Sequence, residues 1–196
     1  MSQLQWAVGR VASLRSAYLA ETARWLGVRE ECELSSIHDP ERREAGLAVR
    51  WLAKRLLLRK CGEKTPCHKI EILSRDQAGK HIRPSIYRLG QPLEYCVSLA
   101  HSQQLVMVGL SSCSRDVVGV DVVPAEPLAA SLVRMWFTPS EQMQVRQGDL
   151  WEACRIWAMK EAVYKAVNRD EPFRPRQVEI RRLDSGEYAS DYGRGR

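Results

Sequence analysis

Asp121 sits inside the run Val117-Val118-Gly119-Val120-Asp121-Val122-Val123, and Glu161 follows 40 residues later inside Trp157-Ala158-Met159-Lys160-Glu161-Ala162-Val163-Tyr164-Lys165-Ala166. An ionised carboxylate taken out of water is costly unless a cation or hydrogen-bond donors compensate it, so each acid requires a partner. A divalent ion is a partner that both could share. Mg²⁺ takes oxygen ligands and usually keeps waters and substrate phosphate oxygens in its shell, so two protein carboxylates suffice. Each acid also has a simpler account. Glu161 and Lys165 stand at i, i+4, a common pair on solvated helices, and Asp121 could pair with an arginine or cap a loop.

The elements that would position these acids follow from periodicity. Residues 150–167 read as a long helix, and on a helical wheel Glu161 falls between Leu150 and Cys154, on the packed side. Residues 117–123 are apolar on both faces and read as a central strand. Between them, Thr138-Pro139-Ser140-Glu141 has the cap, first-turn proline and third-position acid of a capping box. Upstream, residues 10–30 read as a first helix, and Asp39-Pro40 opens a second over 41–60 with Ala45, Ala48, Leu52 and Leu56 on one side and Arg43, Arg50 and Lys54 on the other. Lys69–Leu73 alternates as a strand and leads into the turn Gln77-Ala78-Gly79-Lys80. Residues 94–99 and 104–111 read as a hairpin, 177–183 as a strand, and 184–196 as a frayed end.

The two long helices hint at an internal repeat. Trp51-Leu52-Ala53-Lys54-Arg55 resembles Trp157-Ala158-Met159-Lys160-Glu161, and each is followed by a similar strand, Ile70-Glu71-Ile72 or Val178-Glu179-Ile180. Arg55 then stands where Glu161 stands, so only one copy carries the acid and a single active site is expected.

Composition sets the outer limits. The chain has 196 residues with 30 Lys+Arg against 24 Asp+Glu, a net charge of +6, which favours phosphates, nucleic acid or an acidic protein as partners. It lacks a recognised nucleic-acid reader motif or aromatic stacking platform, so nucleic acid is not the expected partner, although the basic helix from Arg42 to Lys60 keeps that reading open. No apolar run approaches the roughly 18 residues that span a bilayer, and the N-terminal stretch lacks a basic segment followed by an apolar one. No membrane association and a cytoplasmic location are expected. The six cysteines form no CxxC pair and suit buried reduced thiols.

Four segments in register resemble one family. Gly119-Val120-Asp121 followed by Trp157-Ala158-Met159-Lys160-Glu161-Ala162-Val163-Tyr164-Lys165 is similar to the paired signature of the 4′-phosphopantetheinyl transferases, Gly-(Ile/Val)-Asp and Trp-x-x-Lys-Glu-(Ser/Ala)-x-x-Lys. Val97-Ser98-Leu99-Ala100-His101-Ser102 resembles the family's Ser-x-Ser-His-Ser segment, and Gly79-Lys80 its Gly-Lys-Pro. The resemblance is to the larger class and implies an α+β fold, two similar α/β halves packed as a pseudo-dimer with antiparallel sheets and long helices. The halves would be 1–95, with the basic helix, strand and Gly-Lys turn, and 96–196, with the metal-site aspartate and the signature helix.

It also implies a transferase that moves the 4′-phosphopantetheine arm of coenzyme A to a serine of an acyl or peptidyl carrier protein, releasing adenosine 3′,5′-bisphosphate. By that analogy Asp121 and Glu161 bind Mg²⁺ on the coenzyme's pyrophosphate, and Glu161, or a water it holds, accepts the serine proton. Lys160 and Lys165 would neutralise pyrophosphate charge or protonate the leaving group. His101, Lys80 and the Arg42/Arg43 pair would hold coenzyme phosphates. A monomer is expected. Two positions depart from the pattern: Val123 stands where many members have Glu, and His81 where proline is usual. The N-terminus reads as helix where the family opens with a strand. Val123 and the short stretch after Leu183 point to the alternative function, a catalytically weakened homologue that binds carrier protein or coenzyme A.

Overall fold

The computed structural model describes residues 4–21, 24–61, 65–76, 78–102, 104–113, 115–167 and 171–192, and the chain divides into two units, Met1–Val118 and Gly119–Arg196. Its class is α+β with antiparallel sheets.

The first unit opens with a strand, β1 (Leu4–Arg10), then α1 (Val11–Leu19), where a single helix over 10–30 was expected. β1 pairs antiparallel with β6 (Leu105–Ser111), Trp6 opposite Gly109 and Val8 opposite Met107. That partner lies a hundred residues away, beyond any local periodicity. The strand at the start is the one the family resemblance called for. Along β1, Leu4, Trp6 and Val8 are exposed. α2 (Val28–Ser35) is a separate short helix, and α3 (Pro40–Cys61) starts where Asp39 and Pro40 predicted, with Asp39 Oδ1 accepting from the Glu41 and Arg42 amides at 2.9 and 3.2 Å.

α3 packs Ala45, Ala48, Val49, Ala53 and Leu57 against Val97, Val106, Val108 and Leu110 of the sheet β1-β6-β5, where β5 is Cys96–His101. β5 and β6 are held by β1 within the first unit. A second sheet joins β2 (Ile70–Arg75), β3 (His81–Arg88) and β4 (Gln91–Pro92); β3 was not anticipated. Gln77 and Gln103 of the expected turns lie outside the described residues.

The side of α3 read as basic is only partly solvated, with Arg43 exposed. Arg50 and Lys54 are buried, Arg50 on Glu33 at 2.5 Å and Lys54 on Glu30 at 2.5 Å. Two cations of the expected phosphate-binding helix are therefore committed to α2. Burial pushes the Glu30 carboxyl up and the Lys54 ammonium down, each opposed by the other's charge.

The second unit contains α4 (Ala130–Trp136), α5 (Pro139–Gln147), α6 (Glu152–Val167), β7 (Val178–Arg182) and β8 (Tyr188–Tyr192). The capping box forms as read: Thr138 N donates to Glu141 Oε2 at 2.7 Å and Glu141 N to Thr138 Oγ1 at 3.3 Å. β8 pairs with β7 over residues expected to fray, Ile180 opposite Ser190, while 193–196 lie outside the described residues. The core gathers Phe137, Ala153, Ile156, Val178 and Ile180. Residues 117–123 join no ladder among the described residues and are irregular, contrary to the expected central strand. The run is apolar because Val118 and Val120 are buried by packing rather than by a sheet. Among the described residues no helix is long and apolar enough to cross a membrane, and Cys32, Cys67, Cys96, Cys113 and Cys154 are free thiols.

Each unit is fastened by the same arrangement. In the first, Glu30 takes the Gly27 amide at 3.0 Å and the Ile72 amide at 2.9 Å, while Lys54 Nζ also donates to the carbonyls of Trp25 and Cys67 at 2.8 and 3.2 Å. In the second, Glu141 takes the Thr138 amide and, at 2.8 Å, that of Ile180, while Lys160 Nζ meets Glu141 at 2.7 Å and donates to Pro175 O at 2.8 Å and to Val178 O. Three residues further along each short helix, Glu33 accepts the Ser74 amide and Gln144 the Arg182 amide. The two similar helix segments thus each bury a lysine against the glutamate of a short helix.

Candidate active site

The segment carrying Asp121 lies directly on α6. A Cβ built on Gly119 would fall 1.8 Å from the carbonyl oxygen of Ala162 and 2.8 Å from the amide nitrogen of Ala166, so only glycine allows this approach. Two residues on, Asp121 reaches Lys165, with Nζ 2.5 Å from Oδ1; the Asp121 side chain is 7% exposed and that of Lys165 30%. Glu161, one helical turn before Lys165, is half-buried.

Burial raises the Glu161 carboxyl first, the negative charge of Asp121 raises it further, and Lys165 and the indole N–H of Trp157 oppose this. The three expected side chains Asp121, Glu161 and Lys165 therefore feel one another's charge. Lys165 bonds Asp121 and, at i, i+4, also acts on the charge of Glu161. α6 is steadied by Trp157, whose ring stacks with Phe137 at 6.4 Å and meets Phe173 edge-on at 5.8 Å.

Two neighbouring carboxylates, one held up by the other's charge, suit a divalent cation. No group of three or more His, Cys, Asp or Glu able to hold a metal occurs among the described residues, and Asp121 with Glu161 would make a set of two carboxylate donors. That donor set fits Mg²⁺, which fills its remaining positions with water and phosphate oxygens.

Lys160 does not join the cluster. It was expected to neutralise pyrophosphate charge, but it is fully buried, and burial lowers its ammonium against the raising effect of Glu141. Its motif position made it look like a neighbour of Glu161, yet adjacent helical residues diverge by about 100° around the axis, and Lys160 takes the side facing α5 and β7. Glu141, its partner, was read only as a cap. The matching Lys54 was the available clue, because both lysines sit three residues after a tryptophan in a repeated segment.

The remaining expected residues belong to the first unit. Asp76 Oδ1 accepts the Ala78 and Lys80 amides, each at 2.9 Å, around Gly79 at φ +79°, and this turn presents an exposed Lys80. Desolvation, then Arg75, then Arg42 hold the adjacent His81 imidazole below its ordinary value, with Glu33 opposing. Arg75 and Arg42 thus both act on the imidazole next to that turn, and Arg75 donates to Gly79 O at 2.7 Å. Arg43 is exposed beside Arg42, and His101 ends β5 exposed.

A family model for ACPS, the 4′-phosphopantetheinyl transferase superfamily, matches residues 117–195, the stretch holding Asp121, Glu161 and Lys165. That stretch is similar to a superfamily of transferases. The superfamily stretch nearly coincides with the second unit, 119–196, while His101, Lys80, Arg42 and Arg43 fall before it. Among solved structures the chain is similar to a holo-(acyl-carrier-protein) synthase from Bacillus anthracis str. Ames in complex with CoA (3′,5′-ADP). The two are 17% identical with a TM-score of 0.42 over 55% of this chain and 92% of that one. No curated protein matches the chain.

Proposed function

We propose that the protein transfers the 4′-phosphopantetheine arm of coenzyme A to a serine of an acyl or peptidyl carrier protein, with Mg²⁺, releasing adenosine 3′,5′-bisphosphate. The observation that carries this reading is the convergence of Asp121, Glu161 and Lys165 within the superfamily stretch.

Asp121 and Glu161 would hold the ion, which when bound supplies positive charge to the coenzyme's pyrophosphate. The serine oxygen attacks the phosphorus bearing the pantetheine arm. As that P–O bond forms, the bond to the bridging oxygen of the pyrophosphate breaks, and its electrons leave with adenosine 3′,5′-bisphosphate. The serine proton passes to Glu161, directly or through one water. Lys165, with its ammonium against Asp121, offsets the charge gathering on the departing phosphate. Lys160 has no part in contacting the substrate. His101, Lys80, Arg42 and Arg43 remain the proposed ligands for coenzyme phosphates, on their charge and their motif order.

Incubating apo carrier protein with coenzyme A and Mg²⁺ tests the reading by intact mass. A gain of one phosphopantetheine, dependent on the divalent ion, is expected. Intact coenzyme binding with no mass gain would support the second reading, a weakened homologue, for which Val123 in place of an acid is the specific observation.

A further inference from the structure

An ammonium group has three hydrogens to donate. Lys160 gives them to Glu141, the Pro175 carbonyl and the Val178 carbonyl, and it has no exposed surface. Turning it toward a phosphate would strand a buried carboxylate and two carbonyls. The lysine ties together the start of α5 through Glu141, the start of β7 through Val178, and the middle of α6 on which it stands. The next residue along α6 is Glu161.

The first unit shows what this fastening does where no acid follows it. Lys54 spends its ammonium in the same way, on Glu30, Trp25 O and Cys67 O, and is equally buried. The residue after it is Arg55, exposed and set over the Trp51 ring at 5.4 Å. The fastening is therefore separable from chemistry: it aligns a helix on a strand in both units, and in one of them that helix carries a catalytic side chain.

We propose that Lys160 is a positioning residue for the transfer reaction: with Glu141 it fixes the turn of α6 from which Glu161 projects toward Asp121, and it does not touch the coenzyme. This rests on the functional reading above, and it replaces a phosphate-binding role with a purely orienting one.

The test compares Lys160→Met, Glu141→Gln and Lys54→Met with the wild type. Thermal melts, coenzyme A binding by calorimetry, and kcat and KM for phosphopantetheine transfer are measured at a temperature where all are folded. Loss of an orienting partner lowers kcat about tenfold or more in Lys160→Met and Glu141→Gln. Their Kd and KM for coenzyme A stay within about twofold, since a lost ground-state contact would show there. Lys54→Met lowers Tm comparably to Lys160→Met and leaves kcat within about twofold of wild type.

A Lys160→Met variant that weakens coenzyme A binding about tenfold while Glu141→Gln does not would overturn the proposal and restore a phosphate contact. Unchanged kcat in both would overturn it as well. If Lys160→Met does not fold, Glu141→Gln decides by the same split, because it leaves the lysine in place. Absence of transfer by the wild type is a separate result: it removes the functional reading, whatever the variants do to stability.

Discussion

Glu161 is asked to be two things at once, a half-buried side chain and an anion. Burial and Asp121 raise its carboxyl, so in the folded state it holds its proton to higher pH than in the unfolded chain. The sign follows from linkage. The stability this shift contributes is complete below the ordinary glutamate range and is lost as pH rises through the folded value, so at neutral pH the ionised group weighs against folding. Glu161→Gln is therefore expected to raise Tm at neutral pH and to lose that advantage in acid, while turnover falls about 10²-fold or more. Melts across pH set beside the mass assay check both halves. A divalent ion should raise the wild-type Tm and leave those of Glu161→Gln and Asp121→Asn nearly unmoved, a readout independent of catalysis. The acid limb of the wild-type rate profile should lie above the ordinary glutamate range, because only the ionised form accepts a proton.

Among the elements, the decisive one is the least regular. Residues 117–123 owe their course to the contact of Gly119 with the α6 backbone, where a methyl group would overlap the Ala162 carbonyl. Gly119→Ala must push the segment off the helix and Asp121 away from Lys165. Displacement of about 1 Å at a reacting group costs about 10²-fold in rate, and that loss is expected here with retention of the α6 helix, read by circular dichroism. The same segment marks where sequence reasoning failed. A valine-rich run without polar alternation looks like a buried strand whether ladder partners or a helix bury it.

Elements built from local rules were legible: Asp39-Pro40 and Thr138-Pro139-Ser140-Glu141 start α3 and α5 as read. β1, β3 and β8 were not, since each exists by pairing with a strand whose identity no window contains. Asp121 and Glu161 stood out because an acid in apolar surroundings is conspicuous. The burial of Lys160 was not legible, because a buried lysine and a phosphate-binding lysine look alike in a motif, and only the partner, Glu141, tells them apart.

For the molecule as a whole, the net charge of +6 is a statement about encounter. An acidic carrier surface would be drawn toward it over roughly a Debye length, about 10 Å at 0.1 M salt. Raising ionic strength should lower kcat/KM for the carrier protein and leave kcat nearly constant, since steering acts before chemistry. A flat response would place recognition in uncharged contacts.

Lys54 and Lys160 carry one more consequence. Both are fully buried, one in each unit. Amine-selective acylation reagents modify exposed lysines within minutes but can reach these two only after the surrounding unit opens. Peptide mapping after timed exposure in graded denaturant should therefore report the two openings on separate clocks, a pair of internal stopwatches that requires no engineered label.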